Sequence, residues 1–356
     1  MIFQWIKRHV RDSLKGPSAS ATVALMAVAG SAGSVAAQDM VPGQIVASGA
    51  TLEKLFDGGF WTEGPAVGPD GKVYFCDITF TFATDMDAGN IWVFDPATGE
   101  TELFMSPSGM AAGIMFDRDG AMVVAQGADF GGRSVVRTDV ATGRSKIIAG
   151  LYNGHPFNAP NDLDIDAAGR IYFTDPRYFG YEAIEQPVKG VYRIDTDGTV
   201  HLILADVGMP NGIALSPDEK TLYVAELDPL VTDWRIAPVP QRSGGQRLLA
   251  YDLSAEGLAS NQRVVADYGS ETGPDGLTVD SDGNVYAAVS AASRRGIHVY
   301  APEGDEIAFI PVPGVDAVTN VTLGTHEGQT YLYVTATSGL YRIATTVTGR
   351  REAATR

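Results

Sequence analysis

Five side chains that carry an oxygen recur at one point of a repeated sequence motif. Counting back eight residues from the turn residue of each of six motif copies gives Glu63, Ala112, Asn161, Asn211, Asp275 and Asn320. Glu63 and Asp275 offer two negative charges, and Asn161 and Asn211 offer two neutral oxygens. An all-oxygen set of this kind suits a hard divalent cation. We expect these four residues to bind calcium, which accepts flexible coordination completed by water, with zinc and manganese as alternatives.

A cation bound by these four side chains would support hydrolysis of an ester. With open coordination positions it can polarise a carbonyl, lower the pKa of a bound water molecule and stabilise the oxyanion that develops on attack. Asp275 is the candidate general base, because it is a carboxylate at the metal. Taken singly, each residue has a structural alternative, since Asn and Asp at strand starts commonly bond to nearby backbone amides. Their recurrence at one repeat position favours the metal site.

The clearest copy of the motif is PNDLDIDAAGRIYFTDP, residues 160–176. Its apolar residues alternate with their neighbours on both sides of a connection that contains Gly169. This pattern predicts a β-hairpin with a tight turn. The six copies begin 45 to 64 residues apart, and most intervals match a four-stranded propeller blade of about 40 to 50 residues. The longest interval predicts an insertion in the fourth blade.

A second strand pair follows each hairpin, so each repeat comprises about four strands. The last copy lacks its outer strand, because only GLYRIATT, residues 339–346, precedes the charged tail. The segment GQIVASGATLEKLF, residues 43–56, resembles the outer strands of the other copies. We expect this segment to complete the last blade and close the ring, which removes the free sheet edges of an open array. The sequence thus predicts an all-β, six-bladed β-propeller with four-stranded blades, on whose axis the equivalent residues converge.

Residues 1–37 have the pattern of a secretory signal peptide. Four basic residues precede an apolar, small-residue run that ends in Val35, Ala36 and Ala37, which satisfies the small-x-small cleavage rule. A membrane anchor is the weaker alternative, because the run has about 17 residues and a span needs about 20. We therefore expect cleavage near Gln38, a periplasmic or secreted protein with no membrane association after cleavage, and one propeller domain over residues 38–356.

The composition excludes some partners and some chemistry. The net charge of −17 argues against nucleic-acid binding, which depends on basic surface charge. The single cysteine, Cys76, cannot form an internal disulfide. It lies in the apolar run VYFCD and is expected to be a buried filler and not a nucleophile. Asp77, Asp175 and Glu226, which end second hairpin strands, are expected to bind backbone amides and not to act in catalysis.

The chain resembles the senescence marker protein/gluconolactonase family of six-bladed propellers in four ordered segments, EGPAV, PNDLDIDAAGRIYFTDP, PNGIALSPD and GPDGLTVDSDGNVYAA. The resemblance covers nearly the whole chain after residue 37. It implies that Glu63, Asn211 and Asp275 are metal ligands and that Asn161 faces the metal and the substrate. His155 stands in a loop where relatives often carry a basic residue, so it is either a substrate contact or a plain loop imidazole. The implied reaction is hydrolysis of a lactone, with sugar lactones as candidates.

Two other functions stay open from the sequence. Related propellers apply similar metal sites to phosphorus esters, which makes phosphotriester hydrolysis one alternative. A catalytically silent propeller that binds a ligand is the other, although the presence of both carboxylates and both amides argues against it. Four loops rich in aromatic and polar residues are expected to wall a small-molecule pocket. They comprise residues 79–90, 153–159, 177–189 and 227–245.

Overall fold

The computed structural model describes residues 45–85, 88–229 and 244–350. The predicted signal peptide, its cleavage site near Gln38 and the first two residues of the predicted closing segment lie outside the described residues. Within them, six four-stranded antiparallel sheets form the blades of a β-propeller, as the repeats predict. The described part of the chain contains no helix long and apolar enough to cross a membrane.

The strands follow the ring in chain order, except that the first strand, β1 (Glu53–Phe56), belongs to the last blade. Blade 1 contains β2 (Thr62–Val67), β3 (Val73–Asp77), β4 (Asn90–Asp95) and β5 (Glu100–Met105), with a short helix α1 (Thr81–Thr84) between β3 and β4. Blade 2 contains β6 (Ala111–Phe116), β7 (Met122–Gln126), β8 (Ser134–Thr138) and β9 (Ser145–Ala149). A small hairpin of β10 (Leu151–Tyr152) and β11 (His155–Pro156) leads into blade 3.

The other four blades have the same order of strands. Blade 3 contains β12 (Leu163–Ile165), β13 (Ile171–Asp175), β14 (Gly190–Ile194) and β15 (Val200–Leu204). Blade 4 contains β16 (Pro210–Leu215), β17 (Thr221–Leu227), β18 (Gln246–Leu253) and β19 (Ala259–Asp267). Blade 5 contains β20 (Pro274–Val279), β21 (Val285–Val289), β22 (Gly296–Tyr300) and β23 (Glu306–Pro311). Blade 6 contains β24 (Asn320–His326), β25 (Gln329–Ala336), β26 (Gly339–Thr345) and β1.

The first strands of the six blades line the axis of the ring. They pack against one another in the order β2, β6, β12, β16, β20, β24 and back to β2. Middle strands such as β3 and β14 are buried along their whole length, because neighbouring blades cover both faces of each sheet. Outer strands such as β9 and β19 are mostly exposed. The apolar core therefore lies between blades, as where Tyr286 and Val299 of blade 5 share a buried cluster with Leu332 and Val334 of blade 6.

The hairpin of blade 3 has the predicted form. Leu163 pairs with Phe173 and Ile165 with Ile171, so the turn lies where the sequence places it. Gly169 adopts a φ of 87° in that turn, a conformation that glycine adopts at little cost. The extra residues predicted for blade 4 lie in two places. Some lie in the connection from β17 to β18, and others lengthen the two outer strands of the blade, β18 and β19.

The closing strand lies where it was predicted. β1 runs antiparallel to β26, with Glu53 opposite Arg342 and Lys54 opposite Tyr341. The Nε of Arg342 donates a hydrogen bond of 2.8 Å to a carboxylate oxygen of Glu53. Ala47 continues the pairing upstream, because its N–H donates to the carbonyl of Ala344. The edge of blade 6 is thus covered by a strand from the other end of the chain, and the ring is closed.

Candidate active site

The predicted ligands meet at one end of the ring axis. Glu63, Asn161, Asn211 and Asp275, which we call the oxygen cluster, all line a cavity of about 290 Å³. Ala112, at the equivalent point of blade 2, also lines it but has no side-chain oxygen. Starts of first strands from four different blades thus supply four oxygen-bearing groups to one floor.

A β-bulge lies at three of the four cluster positions. The pairing of β2 with β3 shifts register just after Glu63, and the pairing of β20 with β21 shifts around Asp275. The pairing of β16 with β17 shifts around Asn211 in the same way. Such a bulge bends a strand and re-aims its side chain. Gly212 follows Asn211 because the next blade is very close: a Cβ there would collide with the carbonyl oxygen of Asp275.

Carboxylates at the ends of second strands hold the chain that leads into the cluster. Asp77 Oδ1 accepts hydrogen bonds of 2.7 and 2.9 Å from the N–H groups of Phe60 and Trp61. Asp175 and Glu226 accept backbone N–H groups in the same manner in blades 3 and 4. The prediction that these three residues bind backbone amides is confirmed. They fix the approach to each first strand and so position its first polar side chain.

The carboxylates of the cluster are buried beside other negative charges. Burial, followed by the charges of Asp275 and Asp162, raises the pKa of Glu63 well above its ordinary value. Burial and the charge of Asp162 likewise raise the pKa of Asp275, and the Asn211 amide offsets part of this effect. The indole Nε1 of Trp61 donates to Glu63 Oε1 at 3.3 Å. Both carboxylates therefore need a proton or an external cation to be stable when buried.

The donor set fits a hard divalent cation. Two carboxylates and two amide groups converge from different strands, and they are oxygen ligands of the type that calcium prefers. Among the described residues that line the cavity there is no lysine, arginine or histidine to neutralise the carboxylates. The described residues also contain no group of three or more His, Cys, Asp or Glu side chains arranged to hold a metal. A cation here would accordingly depend on both amides as well as on Glu63 and Asp275.

Comparison with known proteins shows which protein family this chain belongs to. A family model described as the SMP-30/Gluconolactonase/LRE-like region matches residues 61–338, which include the whole oxygen cluster. The chain belongs to this family. The resemblance given by the four ordered segments of the sequence is thereby confirmed.

Two relatives with lactonase names are similar over most of their length. Gluconolactonase of Zymomonas mobilis is 30% identical over 314 residues, which cover 81% of this chain and 80% of the relative. Lactonase drp35 of Staphylococcus epidermidis is 30% identical over 267 residues, which cover 74% of this chain and 73% of the relative. A solved structure of regucalcin, a calcium-binding protein of Agrobacterium tumefaciens, shares the fold with a TM-score of 0.65, 20% identity and coverage of 84% of this chain and 95% of that chain.

Asp162 is a buried carboxylate near the oxygen cluster that was not predicted from the sequence. It follows Asn161 at a position where four other blades have glycine, namely Gly64, Gly113, Gly212 and Gly276. Its Oδ1 accepts the N–H of Leu163 at 2.9 Å, and Asn320 Nδ2 lies 3.5 Å from its Oδ2. Burial raises the pKa of Asp162 to about 7. Alignment of the motif copies one position further would have singled out this aspartate.

Tyr178 and Trp61 were also missed as partners of the cluster. The Tyr178 hydroxyl accepts a hydrogen bond of 2.9 Å from Asn211 Nδ2 and donates one of 3.0 Å to the carbonyl of Leu227. Tyr178 and Phe179 come from the loop of residues 177–189 and Phe80 from that of residues 79–90, and all three line the cavity. The predicted loops therefore do contribute walls, although the sequence did not show which of their side chains face inward.

The remaining candidates lie away from the floor of the cavity. Asn320 points to Asp162 and to the N–H of Val321, and it does not line the cavity. His155 lies in β11 with its side chain 58% exposed and its Nδ1 3.5 Å from Glu185, and it does not line the cavity either. The β10–β11 hairpin keeps this imidazole at the surface, so the structure does not bring it together with the oxygen cluster. Cys76 is buried in β3, and burial raises the pKa of its thiol, which suits a filler.

Proposed function

We propose that this protein is a calcium-dependent lactonase whose oxygen cluster binds the cation. As a member of the SMP-30/gluconolactonase family with relatives named gluconolactonase and lactonase, it is a hydrolase of cyclic carboxylic esters. The calcium-binding regucalcin supports the choice of calcium. One observation carries the proposal for the site. Two buried carboxylates, Glu63 and Asp275, lie on the cavity floor beside two side-chain amides, and no basic residue is among the described residues that line the cavity.

The four side chains of the oxygen cluster would hold the cation. When bound, it would supply positive charge that polarises the lactone carbonyl, makes water more acidic and stabilises developing negative charge on oxygen. The two carboxylates would balance both of its charges. This is a different state from the metal-free site, in which burial and mutual repulsion favour protonation of Glu63 and Asp275.

The chain itself contributes a base and a fixed geometry. Asp275 would accept the proton of the attacking water as the water oxygen bonds to the carbonyl carbon. The ring C–O bond then breaks, the leaving oxygen takes up a proton, and the product is a hydroxy acid. Tyr178 holds the Asn211 amide by one hydrogen bond, and Trp61 holds Glu63 by another. The side-chain amide of Asn161 makes no hydrogen bond to the described part of the chain, so this group is available to the cation or the substrate.

The two alternative functions are not favoured by the relatives, whose names are those of lactonases. We further propose that residues 1–37 direct export, with cleavage near Gln38. The motivation is the basic, apolar and small-residue pattern of that segment. Intact-mass measurement of the exported protein should show the loss of these residues, and a full-length species in the exported fraction would contradict the proposal.

A substrate panel separates lactonase from phosphotriesterase activity. The calcium-loaded protein is assayed with glucono-δ-lactone, δ-valerolactone and a dialkyl aryl phosphotriester, with acid release followed by pH-stat. We expect kcat/KM for at least one lactone to exceed that for the phosphotriester by about 100-fold or more, because a site built for one transition state binds that of the other ester class less well. A phosphotriester as the best substrate, or the absence of turnover on every ester, would contradict the proposed function.

A further inference from the structure

The walls of the cavity above the oxygen cluster are mostly apolar. Trp61, Phe80 and Phe179 form one buried aromatic group together with Ala317. The rings of Phe80 and Phe179 meet edge to face with centroids 5.0 Å apart, and those of Trp61 and Phe80 are 6.1 Å apart. These contacts fix the rings as a rigid wall. A bound substrate would therefore contact aromatic rings directly above the polar floor of the cavity.

The rest of the wall extends this apolar surface. Side chains from blades 1, 2 and 4 complete it: Ile78, Met110, Ala112, Ala128 and Leu227. The cavity volume of about 290 Å³ is close to the lower limit for small-molecule sites, which is about 300 Å³. It suits one small ring with a short substituent. If the ester group of a lactone lies on the oxygen cluster, its ring substituent can lie against these walls.

Three polar side chains of the wall, Tyr178, Ser290 and Gln246, already have partners within the protein. The Tyr178 hydroxyl is engaged with Asn211 and Leu227, as described above. Ser290 Oγ donates to the carbonyl of Val318 at 3.1 Å and accepts the N–H of the same residue at 2.9 Å. Gln246 uses Nε2 for the carbonyl of Asp228 and Oε1 for the N–H of Gly273. Against this part of the wall, a polyhydroxylated ring would have to break such bonds or leave its own hydroxyls without partners, and both are costly in a buried site.

The charge of the wall also restricts the substrate. Among the described residues that line the cavity, the titratable side chains are the Tyr178 phenol and four carboxylates. The carboxylates are those of Glu63, Asp129, Glu271 and Asp275. Arg177, in the loop that supplies Tyr178, is turned away toward the carbonyl of Asn158 and the carboxylate of Glu182. A substrate that carries its own carboxylate or phosphate would meet like charge. The cavity therefore suits a neutral molecule.

We infer that the substrate is a neutral lactone with an apolar alkyl or aryl substituent, and not a polyhydroxylated sugar lactone. This inference rests on the proposed lactonase function, because it requires the ester to lie on the oxygen cluster. The aromatic wall then acts as the specificity-determining surface. Each methylene that it covers raises kcat/KM, and each hydroxyl that it leaves unpaired lowers kcat/KM.

The test compares three lactones that share a six-membered ring. The calcium-loaded wild-type protein is assayed with δ-octalactone, which has a propyl substituent, with unsubstituted δ-valerolactone and with glucono-δ-lactone. We expect kcat/KM to be at least about tenfold higher for δ-octalactone than for δ-valerolactone, and lowest for glucono-δ-lactone. Glucono-δ-lactone as the best of the three would overturn the inference while leaving the lactonase function intact. The absence of hydrolysis of all three would overturn the lactonase function and the inference with it.

A variant tests whether the aromatic wall causes the preference for a lactone with an apolar substituent. Phe179→Ala removes one ring of the aromatic group, so the ratio of kcat/KM for δ-octalactone to that for δ-valerolactone should fall from at least about tenfold toward one. Phe130→Ala is the matched control, because Phe130 is 55% exposed and does not line the cavity. A melting curve confirms that each variant is folded. An unchanged ratio in folded Phe179→Ala would show that the preference arises elsewhere, and Phe179→Leu provides a milder change if the alanine variant does not fold.

Discussion

The two ends of the central channel, which follows the ring axis, both contain buried carboxylates, but among the described residues only one end has a basic partner for them. At the end away from the cavity, Arg350 forms an ion pair with Asp164, and its guanidinium also donates to the carbonyl of Ile165 at 3.2 Å. Asp164 accepts in addition the N–H of Leu215 at 2.8 Å. At the cavity end, Glu63 and Asp275 are also buried, yet no described lysine, arginine or histidine lines that floor.

The difference indicates different uses of buried charge. A carboxylate removed from water is stable only when a cation or several hydrogen-bond donors compensate for it. The chain itself provides that compensation for Asp164, so Arg350 and Asp164 form a structural pair. Among the described residues that line the cavity there is no such partner for Glu63 and Asp275, and under the proposed function a bound cation would compensate for them. Binding and catalysis would then belong to this uncompensated end.

The largest expected effect comes from changing the uncompensated end. Asp275→Asn keeps the size of the side chain but removes one charge from the oxygen cluster and the candidate base. We expect turnover of a lactone to fall by about 10²- to 10⁴-fold, together with weaker calcium binding. Steady-state kinetics at saturating calcium measures the first effect. Asp282→Asn, in the turn that follows the same strand, is the control and should retain activity; equal loss in both variants would contradict the assignment.

Changing the compensated end should affect stability and not turnover. Arg350→Met leaves Asp164 buried without its cation, which should lower the free energy of unfolding by about 3 kcal/mol. Urea denaturation followed by tryptophan fluorescence measures the loss. Arg263→Met is the matched control, because its ion pair with Asp252 is exposed to solvent and such pairs contribute little to stability. A large loss of lactonase activity in folded Arg350→Met would remove the distinction between the two ends.

A fourth buried carboxylate, Asp175, sharpens the comparison, because backbone groups compensate for it. Burial raises the pKa of Asp175 to about 7, an effect that the N–H groups of Asn158 and Ala159 partly offset. Between its ordinary pKa of 3.8 and about 7, the folded protein binds a proton that the unfolded chain does not. The contribution of this residue to stability is therefore fully present below that window and is lost as the pH rises through it, by at most about 1.4 kcal/mol per pH unit.

Asp175→Asn tests this sign. The asparagine does not titrate, so the stability advantage of the wild type over the variant should be larger at pH 5 than at pH 8. Chemical denaturation at both pH values measures the difference. Asp119→Asn serves as the control, since the Asp119 side chain is 76% exposed. The same difference at both pH values would show that Asp175 does not titrate in this range.

The smallest effect is expected from a residue that only positions a ligand. Tyr178→Phe removes the hydroxyl that holds the Asn211 amide, so kcat/KM should fall by about tenfold while the free energy of unfolding changes by about 1 kcal/mol. Calcium affinity should fall in parallel, which a purely structural role would not require. Tyr181→Phe, in the same loop and 52% exposed, is the control. Unchanged affinity and kcat/KM would exclude Tyr178 as a positioning residue.

The sequence alone was sufficient for the ring and for the oxygen cluster, because both follow from one repeated pattern. A hairpin motif with fixed spacing locates Glu63, Asn161, Asn211 and Asp275 without knowledge of packing. The closing strand β1 was predictable because the last repeat lacks one strand. The pattern of a single hairpin also explains why Gly169 lies in its turn.

Other features depend on contacts between segments that are distant in the sequence. Arg350 pairs with a residue 186 positions earlier, and no motif indicates that the charged tail returns to the channel. Tyr178 reaches Asn211 from another blade, and its loop contains another tyrosine that faces solvent. Asp162 lay within a recognised motif, but its neighbour Asn161 already fitted the ligand role. His155 was selected from its place in a loop, but the preceding Asn153–Gly154 pair is a typical signal for a two-residue hairpin turn and could have indicated the hairpin that exposes it.

The most direct test of the central claim is a calcium titration of the metal-stripped wild-type protein, with lactonase activity as the readout. We expect the stripped protein to be inactive and its activity to rise with calcium to a plateau, with a midpoint that matches a single site measured by calorimetry on the same sample. Asp275→Asn should show no comparable rise. Full turnover of a lactone by thoroughly metal-free wild-type protein would contradict the claim that the uncompensated carboxylates of the oxygen cluster act through a bound cation.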